Sequence, residues 1–171
     1  AREVAGVRHR HPATSEPERG MVVLNCEDIG RQCTRSPAFS SRGGFEWEGV
    51  WRAIAHYQQL GYTVQAVCSQ VMMARNPPPP RVAAHVAKCP VIDEYDQANR
   101  GNRVTADRVF VLRLAQSYDC FFVDNSNYRV SEWEGHHEAW EWLSHTGAGM
   151  KIGYVFDKFG QFIPSRDVES L

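Results

Sequence analysis

Two apolar runs of strand length, each ending abruptly in polar residues, form the most informative pattern of the chain. Residues 21–24 lead into Asn25, and residues 120–123 lead into Asp124. A short apolar run of this kind is typical of a parallel strand that is covered on both faces. In open α/β sheets, ligands bind at the carboxyl ends of such strands. The pattern therefore predicts two parallel strands whose polar ends lie at one rim of a sheet.

Segments of helical periodicity alternate with the strands. The predicted helices span residues 45–60, 81–88, 106–118 and about 131–144, and the further strands span residues 63–68, 90–95 and 152–156. Four consecutive prolines at 77–80 predict an extended connector, and Gly147 and Gly149 are expected to end the last helix. Residues 158–164 are predicted to form a hairpin-like or extended tail. This alternation predicts an α/β fold, in which helices cover both faces of a mostly parallel sheet.

Length and composition fit one ordinary globular domain of 171 residues. Residues 1–19 are rich in Pro, Arg and Glu, so we expect a flexible N-terminal arm followed by a domain over 20–171. No apolar run approaches the length of a membrane span, and no membrane partner is expected. The five cysteines show no CxxC spacing, which argues against structural zinc. Their odd number, with several inside apolar runs, favours reduced thiols in an intracellular, cytoplasmic protein.

Three acidic residues fall at ends of elements that a parallel α/β fold brings together. Asp28 follows the first strand, Asp107 lies in the first turn of a predicted helix, and Asp124 follows a later strand. Carboxylates from separate segments are the ligands that Mg²⁺ or Mn²⁺ takes, and such a site promotes phosphoryl displacement. Asp28 as the cap of a turn and Asp107 as a partner of the helix dipole are the structural alternatives.

Basic loops beside these acids suggest contacts with a phosphate backbone. The basic residues are Arg31, Arg35, Arg42, Arg100 and Arg103. The net charge of −1 gives no global basic field, so any nucleic-acid contact would be local. The sequence contains neither GxGxxG nor a Walker A motif, which argues against a nucleotide-binding fold of either kind.

Residues 21 to about 170 resemble the NYN, or PIN-like, endoribonuclease domain of the Regnase family of CCCH zinc-finger ribonucleases. The segments that carry this resemblance are residues 22–29, 39–44, 106–115, 123–129 and 154–159. The Asn-Ser-Asn-Tyr-Arg motif at 125–129 and the closing strand, in this order, are its most specific part. The resemblance implies a PIN-like three-layer α/β/α sandwich, Mg²⁺- or Mn²⁺-dependent RNA hydrolysis, and a role in RNA metabolism such as mRNA decay. It also implies single-stranded or stem-loop RNA as the ligand, with Asn125, Asn127 and Arg129 added to the RNA-binding residues.

The chain departs from the family pattern at the acidic positions. The family has an aspartate at the end of the first strand and an asparagine three residues later, where this chain has Asn25 and Asp28. The family's double aspartate at a helix start corresponds to Asp107 and Arg108, or to Ala106 and Asp107 if the alignment shifts by one. The family's last acid corresponds to Ser126.

Two interpretations follow from these exchanges. Metal ligation is either rebuilt from Asp28, Asp107 and Asp124 in an active endoribonuclease, or lost in a pseudo-nuclease that keeps RNA or protein binding. We favour the second, because a charge is missing at Asn25 and Arg108 brings a cation towards the site. A scaffold subunit of an RNA-processing complex, with protein partners or as a homo-dimer, is a third interpretation.

Overall fold

The computed structural model describes residues 19–39, 44–89, 105–129 and 136–168. Within these ranges the chain forms a three-layer α/β/α sandwich around one parallel sheet. No helix in these ranges combines the length and apolarity needed to span a membrane. The first strand begins at Arg19, one residue inside the predicted N-terminal arm.

Five parallel strands form the central sheet in the order β3-β2-β1-β4-β5. The strands are β1 (Arg19–Asn25), β2 (Tyr62–Ser69), β3 (Val86–Cys89), β4 (Phe121–Val123) and β5 (Lys151–Ile152). A separate antiparallel hairpin follows, made of β6 (Tyr154–Phe156) and β7 (Phe162–Pro164). The two strands predicted from apolar runs, β1 and β4, are neighbours at the centre of the sheet, so their polar ends meet at one rim.

Helices connect the strands and cover the sheet. They are α1 (Cys26–Gln32), α2 (Trp47–Gln59), α3 (Gln70–Arg75), α4 (Pro80–Ala83), α5 (Ala106–Tyr118), α6 (His137–Trp142) and α7 (Ala148–Met150). A 3₁₀ turn follows α1, and a π-helical turn joins α6 to α7. The helix predicted over 106–118 is confirmed, and the predicted helix over 45–60 is confirmed with slightly shorter ends.

Alternation along the central strands divides the core into two parts. Val22 and Leu24 of β1 lie with Val50 and Ile54 of α2 in one cluster, which also includes side chains of the hairpin. Val23, between them in sequence, lies in the second cluster with residues of α5 and α6. All of these named side chains are completely buried. Because successive strand residues face opposite sides, a continuous apolar run serves both layers.

The prediction of one helix over 81–88 was wrong in its second half. The helix α4 ends at Ala83, and Val86–Cys89 instead forms β3, which pairs in parallel with the end of β2. Pairing with an existing strand outweighs the weak local helix preference of this segment. The four prolines do not all belong to the connector, because Pro80 is the first residue of α4, where its fixed φ suits a first helical turn.

Two predictions for the C-terminal part also need correction. Gly147 does not end a helix; it lies buried in the π-helical turn, where an added Cβ would come within 2.5 Å of the Trp142 ring. The single strand predicted over 152–156 divides at Gly153 into β5 of the sheet and β6 of the hairpin. The hairpin predicted in the tail is present, with β7 as its second strand. Three predicted segments lie outside the described residues: the strand over 90–95, the start of the last helix at Ser131 to Glu134, and the greater part of the N-terminal arm.

Candidate active site

Asn25 connects the central strand β1 to helix α1 at the rim of the sheet. It is completely buried and is the N-cap of α1, with an extended backbone at φ −85° and ψ 101°. Its side-chain oxygen Oδ1 accepts hydrogen bonds from the backbone N–H groups of Glu27 (3.1 Å) and Asp28 (3.2 Å). These two donors require an acceptor, so they fix which end of the carboxamide is the oxygen.

The other end of the Asn25 carboxamide therefore presents a hydrogen-bond donor to the rim. Its Nδ2 donates to Oδ2 of Asp107 at 3.1 Å and to Oδ2 of Asp124 at 3.0 Å. Both aspartates are buried, and Asp124 is completely so. One amide nitrogen thus lies between two carboxylates that come from α5 and from the end of β4. Both of its N–H groups are used in this bridge.

Asp124 receives two further hydrogen bonds from the loop that follows β4. The backbone N–H of Ser126 donates to Oδ1 at 2.6 Å, and the hydroxyl of Tyr128 donates to Oδ2 at 2.6 Å. Burial, followed by the charge of Asp124, raises the pKa of the Tyr128 hydroxyl well above its ordinary value. Tyr128 therefore stays protonated and remains a donor. Ser126, where the resemblance implied an acid, contributes here through its backbone N–H.

Asp28 is held on the side of the rim that faces the hairpin. Its Oδ2 accepts from the backbone N–H of Asn125 at 2.8 Å and from the hydroxyl of Tyr154 at 2.6 Å. Burial raises the pKa of Asp28, and the nearby charge of Asp124 raises it further. The Asn125 side chain pairs with both backbone groups of Tyr154, accepting from its N–H at 3.0 Å and donating to its carbonyl at 2.8 Å.

We expect Asp28→Asn to stabilise the protein at pH 7 but not at pH 4. A carboxyl group with a raised pKa binds protons more tightly in the folded state, so stability falls as pH rises from the unfolded pKa of about 4 through the folded pKa. The asparagine variant does not ionise, so it avoids this loss of stability, and its side-chain oxygen can still accept from the Tyr154 hydroxyl. Scanning calorimetry should show a Tm about 2–4 °C above wild type at pH 7, with the difference vanishing near pH 4. A lower Tm at pH 7 for Asp28→Asn, with Glu141→Gln as an exposed control, would contradict this expectation.

Glu27 is a fourth acidic residue at the rim, and it is not among the predicted metal ligands. It accepts hydrogen bonds from the backbone N–H and the hydroxyl of Ser69, at the end of β2, and pairs with Arg31 at 3.4 Å. Burial raises the pKa of Glu27, and the charge of Asp107 adds to this. Glu27 thereby links the ends of β1 and β2. The hydrogen bond to Asp107 comes from Asn25 instead.

Two cations accompany these acids. Lys151, at the start of β5, donates from Nζ to the carbonyl of Ser126 at 2.5 Å, and its ammonium lies over the Tyr128 ring at 5.0 Å. Burial lowers the pKa of Lys151, while Asp124 and Asp28 oppose that shift. Arg108, next to Asp107 on α5, is close enough for its charge to oppose the rise in the pKa of Tyr128 and to lower the pKa of Lys151 further.

The residues predicted to bind RNA are distributed around this rim. Arg31, Arg35, Asn127 and Arg129 are exposed, and Arg31 is paired with Glu27. Both ends of the Asn125 carboxamide are hydrogen-bonded to the backbone of Tyr154 in the hairpin, so this side chain makes a structural contact. The remaining predicted residues, Arg42, Arg100 and Arg103, lie outside the described residues.

The side chains at the rim, as ligands, do not suit a hard divalent cation. Of the three predicted ligands, Asp107 and Asp124 both accept hydrogen bonds from the Asn25 nitrogen that lies between them. Asp28 is close enough to Asp124 for their charges to interact. An N–H donor repels a cation, whereas Mg²⁺ and Mn²⁺ require oxygen ligands. Within the described ranges, no group of three or more His, Cys, Asp or Glu residues has the arrangement of a metal site.

The sequence carried signals for the contacts that were missed. An asparagine before an acidic first turn, Asn25 followed by Glu27 and Asp28, is an N-cap pattern, and it would have fixed the direction of the carboxamide. Tyr154 and Lys151 are separated from Asp28 and Asp124 by many residues. No local pattern indicates that their side chains reach the rim.

Comparison with solved structures places the fold among known proteins. The chain is similar to the crystal structure of nuclear proteinaceous RNase P 2 (PRORP2) from A. thaliana, with a TM-score of 0.56 and 14% identity. The similarity covers 85% of this chain and 29% of that one. No family model matches the sequence, and no curated protein sequence matches it. The expected three-layer α/β/α fold with a parallel central sheet is confirmed, and this architecture is consistent with a PIN-like fold.

Proposed function

We propose that this chain is a PIN-like pseudo-nuclease of RNA metabolism, which binds RNA and does not cleave it through a metal ion. The observation that carries this proposal is the bridge from Asn25 Nδ2 to Asp107 and Asp124. The negative charges that would otherwise attract a divalent cation already face N–H and O–H donors of the protein. Kinship with the Regnase family is part of the proposal, on the motif at residues 125–129.

Three features support RNA as the ligand. The fold is similar to part of a protein whose name denotes an RNase P. The exposed side chains of Asn127 and Arg129 follow the rim directly, and the exposed Arg31 and Arg35 lie in helix α1 and in the 3₁₀ turn after it. Guanidinium groups and carboxamides on exposed loops are common partners of phosphate and base edges. A net charge near zero means that such binding would be local and sensitive to salt.

Binding and cleavage can be measured on the same labelled single-stranded RNA. We expect fluorescence anisotropy to show binding that weakens as salt rises and is unchanged by Mn²⁺, with the RNA intact on a denaturing gel. A stem-loop RNA tested in parallel compares the two structural classes of ligand. The matched variant Arg129→Gln should weaken binding and leave the Tm unchanged, because Arg129 is exposed.

Two outcomes would overturn the proposal. Mn²⁺-dependent cleavage that disappears in Asp107→Asn would identify an active endoribonuclease. Failure of the pure protein to bind either RNA at low salt would favour the scaffold interpretation, in which protein partners are the ligands.

A further inference from the structure

Lys151 occupies a position at the rim that the pseudo-nuclease interpretation does not by itself explain. It lies at the start of the edge strand β5, where Lys151 pairs in register with Phe122 of β4. This register directs an ammonium group to the loop that carries Ser126 and Tyr128, beside the buried Asp124. Placing a half-buried lysine there has a cost, because burial disfavours the charged form of Lys151.

The contacts of this ammonium leave part of its donor capacity unused. An ammonium group carries three N–H donors. Among the described residues, its one hydrogen-bond partner is the Ser126 carbonyl at 2.5 Å. The face of the Tyr128 ring, 5.0 Å away, provides a favourable but non-directional contact. Lys151 is only partly buried, so its side chain is not closed off from solvent.

The Lys151 ammonium is surrounded by charged groups of both signs. Asp28 and Asp124 are near enough to favour its charged form, and Arg108 adds a second cation from α5. Both carboxylates already accept hydrogen bonds from the protein, through Tyr154 for Asp28 and Tyr128 for Asp124. The charges of Lys151 and Arg108 offset part of the negative charge of the rim acids, which lowers the repulsion that an approaching phosphate would meet.

We propose that the Lys151 ammonium is the phosphate-binding group of the rim and contacts one phosphate of the RNA backbone beside the loop that follows Asp124. The inference rests on the proposed function, since it requires that RNA binds at this rim. Lysine binds phosphate as a point charge and supplies no chemistry of its own here. Lys151 is therefore a binding residue, with Tyr128 and Ser126 as the groups that position it.

The chain provides a matched control for the test. Lys158 lies on the exposed turn of the hairpin, with its ammonium likewise 5.0 Å from the centre of an aromatic ring, that of Phe159. Removing either charge changes the net charge equally, but only Lys151 contacts the loop beside Asp124. The comparison of Lys151→Gln with Lys158→Gln therefore separates a local phosphate contact from a general effect of charge.

Anisotropy titrations of labelled oligouridine at several salt concentrations test the proposal. We expect Lys151→Gln to bind about 5- to 10-fold more weakly and to lower the salt slope by about 1, while Lys158→Gln binds like wild type and Lys151→Arg recovers most of the affinity. A purely structural role would lower the Tm and leave the salt slope unchanged. Equal affinity of Lys151→Gln and wild type would overturn this inference alone. Absence of binding by wild type would overturn it together with the proposed function.

Discussion

The Asn25→Asp variant is expected to be unstable without divalent cations and to recover its stability in Mn²⁺. The introduced carboxylate would keep one oxygen on the N–H groups of α1 and turn the other towards Asp107 and Asp124. Three buried carboxylates would then face one another without the bridging donor. Leaving such charge uncompensated costs roughly 3–5 kcal/mol, which corresponds to a fall in Tm of about 10 °C.

The same change would supply what a divalent cation requires. Oxygen ligands from the introduced carboxylate and from the two existing aspartates would surround the position that the Nδ2 atom of Asn25 now fills. A cation that binds the folded state at about 100 times its Kd stabilises that state by about 2.7 kcal/mol. Most of the lost stability should therefore return when Mn²⁺ is added.

Thermal unfolding in EDTA and in millimolar Mn²⁺ measures both effects. Asn76→Asp, which adds the same charge beyond the C-terminus of α3, is the control and should show no response to Mn²⁺. The expectation is contradicted if Asn25→Asp is as stable as wild type in EDTA. It is also contradicted if the Tm of wild type rises in Mn²⁺ as much as that of the variant.

Replacement of Asp124 by alanine is expected to destabilise the protein by at least about 3 kcal/mol. Three donors would lose their acceptor in a fully buried place: the Asn25 amide, the Ser126 N–H and the Tyr128 hydroxyl. Hydrogen bonds to a charged group contribute about 1.5–3 kcal/mol each, and unsatisfied buried donors add their desolvation. A loss of this size is a large share of the stability of an ordinary domain.

The sign of this effect distinguishes the two interpretations of the rim. In a cation site without its ion, the carboxylates repel one another, so removal of one stabilises the protein. Urea unfolding of Asp124→Ala in EDTA decides between them, with Glu141→Ala on the exposed surface of α6 as a control that should stay within about 0.5 kcal/mol. Higher stability of Asp124→Ala than of wild type would indicate a metal site.

Two central strands of the sheet could be predicted from the sequence because their pattern is unambiguous, although the strand order was not predicted. The runs that became β1 and β4 are apolar on both faces and end in polar residues, so their place and direction could be predicted. The segment at 86–89 could not, because its four residues have no such pattern and become a strand only by pairing with β2. Gly147 was misjudged for a similar reason, since its role is to contact the Trp142 ring, which belongs to tertiary packing.

The site was predictable in its location and less so in its chemistry. Asp28, Asp107 and Asp124 were expected at one rim, and they are there. Their partners were not expected, because Tyr154 and Lys151 come from distant parts of the chain. The exchange at Asn25 was visible in the sequence as a missing charge. Its consequence, a donor held between two carboxylates by a helix cap, depends on side-chain geometry.

An anomalous difference map from wild-type crystals soaked in Mn²⁺ tests most directly whether the Asn25 amide takes the place of an ion. We expect no manganese peak bonded to Asp28, Asp107 or Asp124, and a clear peak between Asp107 and Asp124 in Asn25→Asp crystals soaked in the same way. A manganese ion bonded to these aspartates in the wild-type protein would contradict the pseudo-nuclease interpretation.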